Sequence, residues 1–144
     1  MINYFAFGSN MSAQRMHERL GWYPPSSGAI LPDYEMVFNK HSNDGGKANI
    51  MYSPGNHVEG ILYSVNVEDL LILDKYEGVA AKQYKRYDIK VRKNNKNSIS
   101  AVAYKALNTG EISAPTVEYL NYILEGKEFL SPGYYSKLRS TKTL

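Results

Sequence analysis

Two features of the chain can do chemistry. An apolar run, Ile2 to Phe7, is followed at once by Gly8-Ser9-Asn10, and a helical pattern begins near Ser12. A buried strand that ends in a small-residue turn beneath a helix start leaves backbone N–H groups free to bind an anionic group. The turn has no GxxxxGK continuation, so it is not a nucleotide P-loop. The second feature is a carboxylate on an apolar helix face. Asn66 to Asp69 reads as a helix start, with Asn66 as N-cap and Asp69 in a capping-box position. Leu70 and Leu73 share a face, and Glu77 lies in line with them, just before Gly78, a natural residue to end the helix. The helix dipole opposes an anion there, burial raises its pKa, and Asp74 one turn back would add repulsion. A carboxyl with a raised pKa suits general acid–base work near neutral pH. A Glu77 that points into solvent, or that pairs with Lys75 or Lys82, fits the same pattern.

Composition removes several other chemistries. The chain of 144 residues has no cysteine, which excludes disulfides, thiol catalysis and zinc held by thiolates. Its three histidines, His17, His41 and His57, are irregularly spaced, so neither a metal nor another cofactor is expected. The net charge of +3 is modest and spread out, and the one basic cluster, Lys90 to Lys96, reads as the solvated end of a hairpin. Nucleic acid is therefore not an expected partner. No apolar stretch reaches the roughly 20 residues of a membrane helix, and the sequence opens on a strand pattern rather than a signal peptide. The expectation is a cytoplasmic protein of one domain over 1–144, off the membrane, monomeric or homodimeric, with a small-molecule partner. The 13 tyrosines suit either a barrel wall or a polar cavity.

The elements that must position the two features follow from pattern. Ile2–Phe7 reads as a central strand. Ser12 caps a short helix through Leu20 that Gly21 ends, and Trp22 to Gly28 reads as a loop. Tyr34–Phe38, Ala48–Tyr52 and Val58–Val65 read as strands, with turns at His41–Gly46 and Ser53–Asn56. Gly60 marks a bulge or a close approach of backbone. Tyr84–Arg92 and Ile99–Leu107 read as a hairpin about Asn94-Asn95, and Ser131-Pro132 starts a last helix. This order implies an α+β fold, a small mixed β-barrel or strongly curved sheet with flanking helices.

Phe5-Ala6-Phe7-Gly8-Ser9-Asn10-Met11 resembles the signature loop of the gamma-glutamylcyclotransferase-like enzymes, and Leu73 to Val79 (LDKYEGV) resembles their catalytic-glutamate segment. Gly45 to Ile50, Ser53-Pro54-Gly55 and Val58-Glu59-Gly60 also fit the family layout, so the resemblance covers essentially the whole chain. It implies a small mixed barrel, no cofactor, and cleavage of a γ-glutamyl amide by attack of the substrate's own α-amine, releasing 5-oxoproline and the free amine or amino acid. It makes Glu77 the single acid–base. It places the γ-glutamyl group against Phe7, Gly8, Ser9 and Asn10, with Tyr84, Tyr104 and Tyr119 around it. Tyr134 is a further cavity candidate. Ser9 and Asn10 can equally satisfy the turn, Tyr119 can equally be core, and Arg15 can hold a carboxylate or form a surface ion pair. Phe7 departs from the tyrosine common there. On position, His41–Lys47 and Ala80–Lys85 are the loops that would shape the leaving-group pocket. A biosynthetic enzyme that removes a γ-glutamyl protecting group, a relative acting on lysine adducts, and a non-catalytic binding module are alternatives on the same fold. Glutathione is a less favoured substrate.

Overall fold

The computed structural model describes residues 1–94 and 97–144. Five strands close into a barrel in the order β1-β3-β2-β4-β5. They are β1 (Ile2–Ala6), β2 (Ser26–Lys40), β3 (Lys47–Val65), β4 (Tyr84–Arg92) and β5 (Ser98–Ala106). The four other ladders are antiparallel, and closure comes from β1 lying parallel to β5 at Tyr4 and Val102. The expected mixed barrel is therefore closed. The barrel and the helices share a core in which Phe5, Met16, Ile50, Leu73, Val91 and Ile123 are fully buried.

Two strands are longer than the sequence pattern implies. Ser26 to Gly28, expected in a loop, belong to β2 and pair with Tyr63 to Ile61. The ladder to β3 overrides their small, turn-like composition. The turn expected at Ser53–Asn56 exists as an excursion inside β3. Pro32 pairs with His57 and Tyr34 with Tyr52, so Asp33 alone faces those four residues. Asp33 and Gly55 take positive φ, and the Asp33 carboxylate accepts the Gly55 N–H at 3.0 Å. Gly60 is a close-approach site: a Cβ there would lie 2.3 Å from the Ala6 carbonyl oxygen. The Asn94-Asn95 turn falls partly outside the described residues.

Local chemistry sets the helices. In α1 (Ala13–Leu20) the Ser12 side chain accepts the Arg15 N–H, and Gly21 ends the helix at φ 83°. In α2 (Val67–Tyr76) both arms of the Asn66–Asp69 capping box form. α3 (Val117–Leu124) starts on Thr116, and α4 (Pro132–Arg139) starts on Ser131 with Pro132 in its first turn. The buried carboxylate of Glu59 accepts both the N–H and the hydroxyl of Ser131, each at 2.7 Å, and ties α4 to β3. Among the described residues no helix is long and apolar enough to cross a membrane.

Candidate active site

The chain leaves β1 at Ala6 and turns through Gly8 into a single 3-10 turn, Ser9–Met11, before α1 begins. That turn meets the C-terminal end of α2 at the mouth of the barrel. Phe7, Gly8, Ser9, Asn10, Tyr4, Ala48, Glu77, Tyr84, Tyr104 and Tyr119 line one small open pocket. Eight of the nine residues expected around a substrate therefore lie together. Tyr134 does not join them. It stands on α4 with its ring 6.0 Å from that of His57, among residues of a different groove. Tyr4 and Ala48 join the pocket although the sequence pattern did not single them out.

Glu77 ends α2, with its N–H bonded to the Leu73 carbonyl at 2.9 Å, and Gly78 follows at φ 66°. The carboxyl turns inward. Burial pushes its pKa up, while the charges of Arg19 and then Arg15 oppose that shift without cancelling it. Asp74 is not the repelling neighbour the spacing implied. It pairs with Arg86, accepts the Tyr104 hydroxyl at 2.7 Å, and so is satisfied away from Glu77. Burial opposes its ionisation, yet the bonds from Arg86 and Tyr104 outweigh that and hold it below the usual carboxylate range. Lys75 and Lys82 form no ion pair with Glu77 among the described residues.

The Asn10 side chain is buried and engaged at both ends of its amide. Its Nδ2 donates to the Tyr4 hydroxyl at 2.9 Å and reaches Glu77 Oε1 at 3.4 Å, and its Oδ1 accepts from Arg19 at 2.9 Å. Its carbonyl accepts the Tyr63 hydroxyl at 2.7 Å. Among the described residues, no acceptor takes the N–H of Ser9 or of Asn10. A side chain at Gly8 would be tight: a Cβ would sit 3.1 Å from that of Ala48 and 3.3 Å from the Tyr119 hydroxyl. The Phe7 ring packs near that of Phe5, at 6.4 Å between centroids, and the residue is buried.

The tyrosines divide by what their protons do. Burial raises the pKa of Tyr4, Tyr84 and Tyr104, and pushes Tyr119 up to about 12, so all four are neutral phenols at pH 7. Tyr84 donates to the Ala48 carbonyl at 3.0 Å and Tyr104 to Asp74. Tyr119 instead accepts the Ala48 N–H, at 3.0 Å. A second cleft shares Glu77 and Tyr84 with the pocket and is walled by Lys40, His41, Lys47 and Gln83. Both loops expected to shape a leaving-group pocket thus border it. Among the described residues no group of three acidic or histidine side chains is placed to hold a metal.

Comparisons with known proteins show the family. Residues 57–138 match the model of the AIG2-like family. A gamma-glutamylcyclotransferase of Bos taurus is 32% identical, over 93% of this chain and 74% of its own length. A gamma-glutamylcyclotransferase of Homo sapiens is 31% identical, over 95% of this chain and 77% of its own. The chain belongs to the AIG2-like gamma-glutamylcyclotransferase family. A solved gamma-glutamyl cyclotransferase structure superposes with a TM-score of 0.91 at 30% identity, covering 99% of this chain and 89% of the other. The barrel and its flanking helices are therefore family architecture.

The sequence signal for the missed residues is modest. Tyr4 and Ala6 are spaced by two on the strand that runs into the loop, so they share one face of it. Arg19, four residues after Arg15 on α1, lies on the same helix face. Ala48 carries no such signal, because its role lies in backbone atoms that two tyrosines engage.

Proposed function

We propose that the protein is a gamma-glutamylcyclotransferase that converts a γ-glutamyl amide into 5-oxoproline and a free amine or amino acid. The observation that carries this reading is one inward carboxyl, Glu77, with a raised pKa, beside a loop in which the N–H groups of Ser9 and Asn10 have no acceptor among the described residues. The names of the relatives support it.

The residues then divide the work as follows. The N–H groups of Ser9 and Asn10 receive the substrate's α-carboxylate. Phe7 contributes chiefly through its backbone, since its ring packs in the core. Glu77 takes a proton from the α-ammonium group, and the freed lone pair attacks the γ-carbonyl carbon. The new C–N bond closes a five-membered ring and pushes charge onto the carbonyl oxygen. Tyr119, whose own proton has no acceptor among the described residues, is placed to donate to that oxyanion. Glu77 passes its proton to the leaving nitrogen as the old C–N bond breaks. The ring nitrogen's second extra proton follows, so the amine leaves as an ammonium. No water is consumed, and the enzyme's main task is to hold the folded conformer. The leaving group lies in the cleft between His41–Lys47 and the loop before β4.

Reaction in ¹⁸O-labelled water tests this reading. Intramolecular attack yields unlabelled 5-oxoproline. Labelled glutamate would mean hydrolysis, and tight binding of γ-glutamyl compounds without turnover would mean a binding module.

A further inference from the structure

The two ends of the Asn10 amide are chemically opposite. Nδ2 only donates and Oδ1 only accepts. A donor aimed at Glu77 favours its carboxylate, and an acceptor aimed there favours its carboxylic acid. The orientation of this amide therefore biases the protonation state of the pocket's one carboxyl. Arg19 decides the orientation. Its Nη1 donates to Asn10 Oδ1 at 2.9 Å, leaving Nδ2 to face Tyr4 at 2.9 Å and Glu77 Oε1 at 3.4 Å. A guanidinium has donors only and stays charged, so it cannot accommodate the flipped amide. Arg19 is itself held by α1 and by Tyr76, whose ring centroid lies 4.5 Å below its guanidinium carbon.

We propose that Arg19 is a positioning residue for Glu77, acting through Asn10: it fixes the amide donor towards the carboxyl and keeps the resting glutamate ready to accept a proton. The value of that poise rests on the cyclotransferase reading above. The electrostatics agree with the geometry. The charged and titratable groups that couple to Glu77 are Arg15 and Arg19 from α1, Tyr4 from β1, Tyr84 from β4 and Tyr119 from α3, and Lys40, His41 and Lys47 border the cleft on its other side. The tyrosines are neutral, and Arg19 is the stronger of the two cations on Glu77. Arg15 makes no bond to Asn10. Its guanidinium carbon lies 4.4 Å from the Tyr122 ring centroid, and its Nε is buried without a partner among the described residues.

The test is a titration of the Glu77 carboxyl by carbon-13 NMR in wild type, Arg19→Met, Arg19→Gln and Arg19→Lys, assigned with Glu77→Gln. Rates of 5-oxoproline release are measured across the same pH range. Arg19→Met is expected to raise the Glu77 midpoint by about one pH unit. The acid limb of kcat/KM should move up with it, so that activity lost at pH 7 returns at higher pH. Arg19→Gln, which keeps a donor without the charge, should shift less, and Arg19→Lys should stay near wild type. An unchanged midpoint in both Arg19→Met and Arg19→Gln overturns the proposal, as does a loss of rate that is uniform across pH. If Arg19→Met fails to fold, the Arg19→Gln midpoint decides. If wild type releases no 5-oxoproline, the cyclotransferase reading fails, while the titration still decides whether Arg19 governs Glu77.

Discussion

The Tyr119 hydroxyl accepts the backbone N–H of Ala48 at 3.0 Å, while Tyr84 donates to the carbonyl of the same residue at 3.0 Å. One residue of β3 thus holds two phenols in opposite roles. Tyr84 has spent its proton on the scaffold. Tyr119 keeps its proton for the pocket, beside a glycine whose missing Cβ leaves it room.

The two phenols should therefore respond differently to loss of the hydroxyl. Tyr119→Phe is expected to lower kcat by about 10²-fold, the scale of a lost oxyanion donor. Tyr84→Phe should leave kcat close to wild type. Each leaves one Ala48 backbone group unpaired, so both should lose about 1–3 kcal/mol in denaturant unfolding. Equal kcat losses in the two variants would remove Tyr119 from the chemistry.

Gly8→Ala tests the close packing of the loop. The added methyl meets the Ala48 side chain at 3.1 Å and the Tyr119 hydroxyl at 3.3 Å, both groups that border the pocket. The loss should thus appear in activity before stability. About tenfold or more in kcat/KM is expected, since a misplacement of the order of 1 Å costs about 10²-fold. Steady-state kinetics beside a melting curve separates the two effects.

Gly60→Ala is the stability counterpart. Its Cβ would meet the Ala6 carbonyl oxygen at 2.3 Å and the Phe5 ring at 2.9 Å, both inside the barrel. Strand backbone must move, and an overpacking cost of at least about 1–3 kcal/mol is expected. A midpoint in urea equal to that of wild type would contradict the β1–β3 contact.

Glu77 should also make stability depend on pH. Its folded pKa is raised by burial, against the opposing charges of Arg19 and Arg15. Below the unfolded value the carboxyl is protonated in both states and carries no penalty. Above the folded value it is charged in both, and the folded state bears the cost of burying it. Glu77→Gln should therefore raise Tm at pH 8 and raise it less, or not at all, at pH 4. A Tm gain confined to pH 4 would reverse the sign of the shift.

Much of this site was legible because its signals are local. The Gly8-Ser9-Asn10 turn, the Asn66–Asp69 cap and the alignment of Glu77 with Leu70 and Leu73 each lie within one element, where spacing determines facing. What failed was long-range. Asp74 looked like a neighbour of Glu77 because helix spacing says nothing about Arg86 on β4, which draws it away. Tyr134 looked like a cavity residue because the sequence does not reveal that Glu59 ties α4 to another side of the barrel. The length of β2 and β3 was hidden for the same reason: their pairing partners, not their composition, extend them through Ser26–Gly28 and Ser53–Asn56. Ala48 was invisible because its backbone, not its side chain, organises the tyrosines.

The most direct test of the central claim is 5-oxoproline release from a panel of γ-glutamyl amino acids, γ-glutamyl amines and glutathione, with wild type beside Glu77→Gln. Turnover of at least one substrate is expected, with a loss of about 10²–10⁴-fold on substitution, the scale of general acid–base catalysis. A Glu77→Gln variant that releases 5-oxoproline as fast as wild type would contradict the account.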